Sequence, residues 1–71
     1  MRACRPRSSL LERVLFDEDN GILVVSLNGR RRYAYEAVPP ALYRALCEAD
    51  SPGRFYNEMI KGHFACRRVK A

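Results

Sequence analysis

Long hydrophobic runs are absent from this 71-residue chain. The longest, residues 22–27, is interrupted by Ser26 and falls far short of the roughly 18 residues that a membrane-spanning helix requires. The N-terminal stretch MRACRPRSS is basic, yet no apolar segment of the signal-peptide type follows it. These absences argue against a membrane partner, and we expect a cytoplasmic protein.

Cysteine pairs with the spacing of a metal or redox motif are also absent. Cys4, Cys47 and Cys66 form no CxxC motif, and their odd number and wide spacing argue against a disulfide framework and a structural zinc site. We therefore expect reduced thiols, as in other cytosolic proteins, with no metal and no cofactor.

The chain has little of what catalysis requires. His63 is the only histidine, and no serine or cysteine stands in a recognisable nucleophile setting. Asp17, Glu18 and Asp19 match no complete calcium-binding loop and are better explained as a turn-forming cluster. A small domain rarely supplies a base, a nucleophile and an oxyanion site together, so we expect no enzymatic activity and no catalytic residues.

Positive charge is in excess, with a formal net charge of +5. Between residues 8 and 66, seven cations face eight acids, so this part is nearly neutral. The other six cations lie near the chain ends without acidic neighbours, at Arg2, Arg5, Arg7, Arg67, Arg68 and Lys70. We expect residues 1–8 to be a basic flexible arm and residues 65–71 a basic flexible tail around one domain of residues 9–64, because chain ends without apolar anchors stay mobile.

Hydrophobic periodicity predicts three strands and then two helices. Residues 10–17 mix alternation with an extra apolar position, as a bulged strand does, and residues 22–27 resemble a central strand. DEDNG at 17–21 is a turn signal, and NG at 28–29 favours a tight type I′ hairpin that returns as a third strand. The predicted fold class is α+β, a three-stranded antiparallel meander with two helices packed on one face (β-β-β-α-α).

Prolines mark the start of both predicted helices. Pro39 and Pro40 end the third strand and suit a first helical turn, and Pro52 follows Ser51, the expected N-cap of the second helix. Gly62 is its natural C-cap. Apolar side chains recur at helical spacing, and those predicted to face inward are Leu42, Ala45, Leu46, Ala49, Phe55 or Tyr56, Met59 and Ile60.

Three stretches, SSLLERVLFD, LVVSLNGRRRYAYEAVP and LYRALCEADSPGRFYNEMIKGHF, together resemble the KTSC family over residues 9–64. This short domain is named for the C-terminus of some lysyl-tRNA synthetases and also occurs as a free-standing bacterial protein. The matching marks are Ser9, Phe16-Asp17, Gly29, Tyr33-x-Tyr35, Val38-Pro39, Tyr43, Ser51, Gly53, Asn57 and Ile60-Lys61-Gly62. RNA binding has been suggested for the family through the synthetase connection, and the resemblance implies no established biochemical activity.

Arg30, Arg31 and Arg32 follow the NG turn. In a meander the first strand starts beside this turn, so Arg5 and Arg7 should lie nearby, with the acidic turn at the opposite end about 20 Å away. Two interpretations of the three arginines remain open. They are candidates for phosphate contacts, or they are a solvated hairpin end that keeps an edge strand from pairing with other chains.

Tyr33 and Tyr35 share one face of the third predicted strand. They are candidates for stacking on unpaired bases, as aromatic side chains do on several RNA-binding sheets. The alternative is that they lie beneath the helices as core residues, with hydroxyls bonded to Asn57 or to the backbone.

Arg54, Asn57 and Lys61 lie at spacings of three and four and so share one face of the second predicted helix. With the turn at residues 51–53 they are a candidate anion site at a helix N-terminus. The alternative is that Asn57 ties the helix to the loop at residues 38–39 and that the two cations are solvated.

Two functions follow from these candidates. The first is a non-enzymatic RNA-binding or nucleic-acid-binding module that uses Arg30, Arg31, Arg32 and the basic chain ends. The second is a protein-interaction or self-associating module, since Ile22 and Val24 face away from the helices if the residues between them face inward.

Overall fold

In the computed structural model, which describes residues 1–6, 8–29 and 31–69, four strands precede two helices and a fifth strand follows them. The strands are β1 Arg2–Cys4, β2 Leu11–Asp17, β3 Ile22–Leu27, β4 Arg31–Tyr35 and β5 Cys66–Val69. The helices are α1 Pro40–Glu48 and α2 Pro52–Phe55, and α2 continues as a π-helical segment at Tyr56–Ile60.

The strands form one antiparallel sheet in the order β1-β2-β3-β4-β5. The predicted α+β class is confirmed, but the predicted three strands are wrong, because the described residues form five. β1 and β5 are short and mostly exposed, so no hydrophobic alternation marks them in the sequence. Backbone pairing with β2 and β4 creates them instead.

Both edge strands lie in segments that were predicted to be flexible arms. Arg2 of β1 lies opposite Phe16, and its guanidinium contacts the Glu18 carboxylate at 2.5 Å. Cys66 of β5 lies opposite Tyr35. An edge strand of this kind forms by hydrogen bonding to the unpaired backbone groups of its neighbour, so amino-acid composition does not reveal it. Two of the six basic residues predicted in these arms, Arg7 and Lys70, lie outside the described residues.

The sheet has one face under the helices and one face away from them, which we call the open face. Burial alternates along β3, where Leu23, Val25 and Leu27 are buried and the residues between them are half-buried. This confirms the predicted orientation of β3. The core beneath the helices consists of Leu11, Val14, Phe16, Leu23, Val25, Leu27, Tyr35, Val38, Tyr43, Leu46, Tyr56 and Ile60.

A bulge in β2 redirects its side chains. Leu11 lies opposite Leu27, but Arg13 lies opposite Ser26, so the register shifts at Glu12. The shift lets Leu11 stay in the core while Arg13 reaches the open face. The extra apolar position in residues 10–17 predicted this bulge, and the structure confirms it.

The π-helical segment changes which side chains face inward. Tyr56 and Ile60 are buried as predicted, whereas Met59 is 48% exposed instead of facing inward. A π-turn closes with an i→i+5 hydrogen bond, here from the Lys61 N–H to the Tyr56 carbonyl at 2.9 Å, so the α-helical spacing no longer applies. In α1, Tyr43 is buried and its ring stacks on Phe16 with centroids 4.9 Å apart. No helix among the described residues is long and apolar enough to cross a membrane.

The turns between strands differ in how closely they follow the prediction. Asp17 Oδ1 accepts hydrogen bonds from the N–H groups of Asp19 and Asn20 at 3.1 and 3.4 Å, which explains the acidic cluster as a turn. The Asn20 side chain also bonds to this carboxylate and lowers the pKa of Asp17. The prediction of a tight two-residue turn between β3 and β4 is wrong, because Leu27 pairs with Arg31 and three residues lie between them.

Cys4 and Cys47 form a disulfide, with their Cα atoms 6.2 Å apart. The expectation that all three thiols are reduced therefore fails for this pair, and only Cys66 is free and exposed. The sequence pattern did not reveal this pairing, because it depends on β1, which was not predicted. Cys4 lies opposite Val14 on the helix-covered side of the sheet, which brings it against α1 across a separation of 43 residues.

Candidate nucleic-acid interface

A groove of about 470 Å³ runs across one end of the open face, and we call it the arginine groove. Its lining combines side chains from the segment after β1 and from β2, β3 and β4. The lining residues are Arg5, Glu12, Arg13, Ser26, Leu27, Arg31 and Arg32.

Strand register explains why basic residues meet in this groove. Arg13, Ser26 and Arg32 are direct partners across β2, β3 and β4. Neighbouring strands are about 4.8 Å apart, so the two arginine positions are separated by about 10 Å, with the Ser26 hydroxyl between them. Arg5 joins them because the disulfide at Cys4 fixes the end of β1 beside β2.

The arginine groove is strongly positive, because its lining contains four arginines and one acidic residue, Glu12. All four arginines are exposed. The ion pairs found among the described residues are elsewhere, between Arg2 and Glu18 and between Arg54 and Glu58. A guanidinium presents a planar set of donors that binds phosphate in a bidentate manner.

A second depression, of about 240 Å³, lies between β4, β5 and the π-helical segment on the helix-covered side of the sheet. We call it the tyrosine pocket. Its lining residues are Leu10, Leu27, Arg31, Tyr33, Tyr35, Tyr56, Asn57, Lys61, Gly62 and Cys66. Arg31 and Leu27 line both depressions, so the two are neighbours around the end of β4.

The buried end of the tyrosine pocket is built by Tyr35 and Tyr56. Each is 2% exposed, their rings meet edge to face, and their hydroxyl oxygens are 2.5 Å apart. Burial is the main cause that raises the pKa of both hydroxyls, so both stay protonated at neutral pH. Tyr35 is therefore a core residue and not a stacking platform, whereas Tyr33 is half-buried and leaves part of its ring accessible.

Removing the Tyr56 hydroxyl is expected to lower the free energy of unfolding by about 1–2 kcal/mol, because Tyr56→Phe leaves the buried Tyr35 hydroxyl without a partner. The double variant Tyr35→Phe/Tyr56→Phe should lie close to the wild type, since it removes both groups. Urea denaturation monitored by circular dichroism measures these differences, with Tyr33→Phe as the control. Losses that simply add in the double variant would contradict this account.

The structure divides the predicted site residues between the two depressions. Arg32 lines the arginine groove, and Arg31 lines both. The members of the tyrosine pocket that were predicted from the sequence are Tyr33, Tyr35, Asn57 and Lys61. Arg30 lies outside the described residues. The expected proximity of Arg5 to the arginines of β4 is confirmed.

Arg54 lines neither depression. Its Nε lies 2.8 Å from the Glu58 carboxylate, and this exposed pair raises the pKa of Arg54. Ser8 and Leu10 also pack closely against Gly53 at the start of α2. A Cβ atom at Gly53 would lie only 3.0 Å from the Ser8 hydroxyl oxygen and 3.5 Å from Leu10. The candidate anion site at the turn of residues 51–53 is therefore not assembled, although Asn57 and Lys61 are brought together elsewhere.

Arg13 is the groove residue that sequence analysis missed. In a regular strand, Leu11 and Arg13 would share one face, and burial of Leu11 would predict an inward Arg13. The bulge at Glu12 reverses this, and the extra apolar position in residues 10–17 was the available signal. Among the described residues, no three His, Cys, Asp or Glu side chains are grouped closely enough to bind one metal ion.

Comparison with known proteins assigns this architecture to a family, since residues 7–64 match the KTSC domain. The chain belongs to the KTSC domain family. This KTSC domain is 41% identical over 61 residues to an uncharacterised protein of Stutzerimonas stutzeri (strain A1501), a match that covers 86% of each chain. It is 37% identical over 57 residues to a protein of Tsukamurella paurometabola, covering 80% of this chain and 85% of that one.

The crystal structure of a KTSC domain protein from Yersinia pestis shows the same fold. It superposes with a TM-score of 0.89 at 31% sequence identity, over 96% of each chain. The structural likeness therefore extends beyond residues 7–64 of this KTSC domain.

Proposed function

We propose that this KTSC domain is a non-enzymatic module of the cytoplasm that binds single-stranded RNA along the arginine groove. The observation that carries the proposal is that Arg5, Arg13, Arg31 and Arg32 line one groove, which Arg31 reaches around the end of β4. Four separate parts of the chain supply or position these residues, so the cluster is a product of the fold and not of one basic run.

The groove suits an extended phosphate backbone better than a compact anion. Its positive side chains come from β2, from β4 and from the segment after β1, and Ser26 of β3 adds a hydroxyl donor between Arg13 and Arg32. Phosphate contacts of this kind position a strand without reading its sequence. The lining contains no histidine or cysteine, and this composition supports binding in preference to catalysis.

The test is the salt dependence of binding to a short single-stranded oligoribonucleotide. If three or four phosphates are neutralised, the logarithm of the affinity should fall with the logarithm of salt concentration at a slope of about −2 to −3. Fluorescence anisotropy between 50 and 200 mM salt measures this slope. The absence of binding, or binding that salt does not weaken, would refute the proposal.

A second candidate function is self-association through the open face, and a specific row of side chains favours it. Ala3, Leu15, Val24 and Ala34 are direct partners across β1 to β4, and they form an apolar row beside the arginine groove. Ala3 is exposed and Leu15 and Val24 are half-buried, so three of these four side chains are accessible, whereas Ala34 is 4% exposed. Such a row is typical of a contact surface.

Salt separates the two candidates. A dimer held by the apolar row of the open face should not weaken when salt is added, because apolar burial is not screened by ions. RNA binding should weaken under the same change. Sedimentation velocity at low and high salt distinguishes the two, and a monomer under both conditions would remove the second candidate.

A further inference from the structure

We infer that the tyrosine pocket is a base subsite, which accepts one unpaired nucleobase from an RNA strand whose phosphates lie in the arginine groove. This inference rests on the proposed function and adds a second, chemically distinct half to the site. Its starting point is that Arg31 and Leu27 line both depressions, so a strand can pass from one to the other around the end of β4.

The pocket has the size of a single flat ligand. Its volume of about 240 Å³ falls below the roughly 300–1,000 Å³ of pockets that hold drug-sized molecules. Leu10 and Leu27 provide apolar surface, and the half-buried ring of Tyr33 provides an aromatic surface. Nucleobases are bound in this way in many RNA-binding proteins, by stacking on an aromatic side chain.

The buried end of the pocket also offers a hydrogen-bond donor. In the Tyr35–Tyr56 pair one hydroxyl donates to the other, so the proton of the accepting hydroxyl is not used within the pair. Because burial raises the pKa of both tyrosines, that proton stays in place at neutral pH. It is available to a carbonyl oxygen or ring nitrogen on the edge of a base.

The rim of the pocket carries the groups that the rest of a nucleotide would need. Asn57, Lys61 and Arg31 are exposed there, and they supply an amide and two cations. An amide can pair with the edge of a base, and the cations can bind the adjoining phosphates. The ligand class is therefore a planar heteroaromatic base that is linked to phosphate.

The experiment compares two strands that carry the same phosphates, an oligouridylate and an abasic strand of equal length. We expect the wild-type protein to bind the oligouridylate about 5- to 150-fold more tightly, the range expected for stacking of one base. Tyr33→Leu, which keeps an apolar side chain, and Asn57→Ala, at an exposed position, should each reduce this ratio toward one. Met59→Ala is the matched control, because Met59 lies on the same π-helical segment outside the pocket lining.

The variants should change the base preference without changing the salt slope, because they remove no phosphate contact. Equal affinity of the wild type for both strands would overturn the base subsite and leave the arginine groove intact. A preference for oligouridylate that persists in both pocket variants would also overturn it. Failure of both strands to bind in a salt-dependent manner would overturn the proposed function, and the subsite with it.

Cys66 provides a second readout that needs no mutation, because its thiol is free, exposed and part of the pocket lining. Alkylation of Cys66 by N-ethylmaleimide should slow several-fold when oligouridylate is bound and should be unaffected by the abasic strand. Uridine monophosphate serves as the free-nucleotide arm and should protect only at far higher concentration. Equal protection by the mononucleotide and the strand would overturn the link between the pocket and the groove.

Discussion

Reduction of the Cys4–Cys47 disulfide is expected to lower the free energy of unfolding of this KTSC domain by about 2–4 kcal/mol. The bond closes a loop across 43 residues of separation and so restricts the unfolded chain considerably. In a domain of this size, a loss of that magnitude corresponds to a decrease in Tm on the order of 10–25 °C. This is a large effect, because a chain of 71 residues has a small core.

Urea denaturation of the oxidised protein, the reduced protein and the Cys4→Ser/Cys47→Ser variant measures this prediction. Cys66→Ser is the matched control, since it removes a thiol that takes no part in the bond and lies exposed. The reduced protein and the double variant should agree with each other, and the control should match the oxidised wild type. Coincident curves for the oxidised and reduced proteins would contradict the prediction.

The disulfide also connects stability to the proposed RNA site. In the cytoplasm most thiols are kept reduced, and β1 would then be held by its backbone pairs with β2 and by the exposed Arg2–Glu18 ion pair. An exposed ion pair stabilises by at most about 1 kcal/mol. In the reduced protein, the disulfide would no longer hold Arg5 beside the groove.

The sequence predicted those parts of the fold that hydrophobic side chains specify. β2 and β3 carry a pattern of burial, and α1 and α2 begin at prolines. Leu46 of α1 and Ile60 of the π-helical segment that continues α2 are buried. The edge strands β1 and β5 could not be found in this way, because their residues are mostly exposed and backbone pairing alone defines them. The disulfide was missed for the same reason, since it depends on β1.

Only part of the candidate site could be predicted, because the sequence shows which side chains are present but not how the fold groups them. Arg31, Arg32, Tyr33, Asn57 and Lys61 stand in patterns that the sequence shows directly. Their division into a groove and a pocket depends on how β4 packs against the π-helical segment, which spacing alone does not encode.

Replacing Arg13 and Arg32 with alanine is expected to weaken binding of a short single-stranded oligoribonucleotide by about 25-fold at 100 mM salt, taking equal affinity at 1 M salt as the reference. Each phosphate contact on a single strand contributes about 0.7 to the salt slope, so the loss of two should make the slope shallower by about 1.4. Both side chains are exposed on the open face, so the fold should be unaffected. Anisotropy titrations across the salt range and circular dichroism measure both quantities.

Arg44→Ala and Arg54→Ala are the matched controls, because each removes one exposed arginine on the helical side of the domain and neither residue lines a described depression. If net charge alone governed binding, the two controls combined would weaken it as much as the groove variant does. If the arginine groove is the site, the combined controls should leave the slope nearly unchanged. Equal losses in the two double variants would therefore contradict a site on the open face, because nonspecific attraction depends on total charge whereas a groove depends on where the arginines lie.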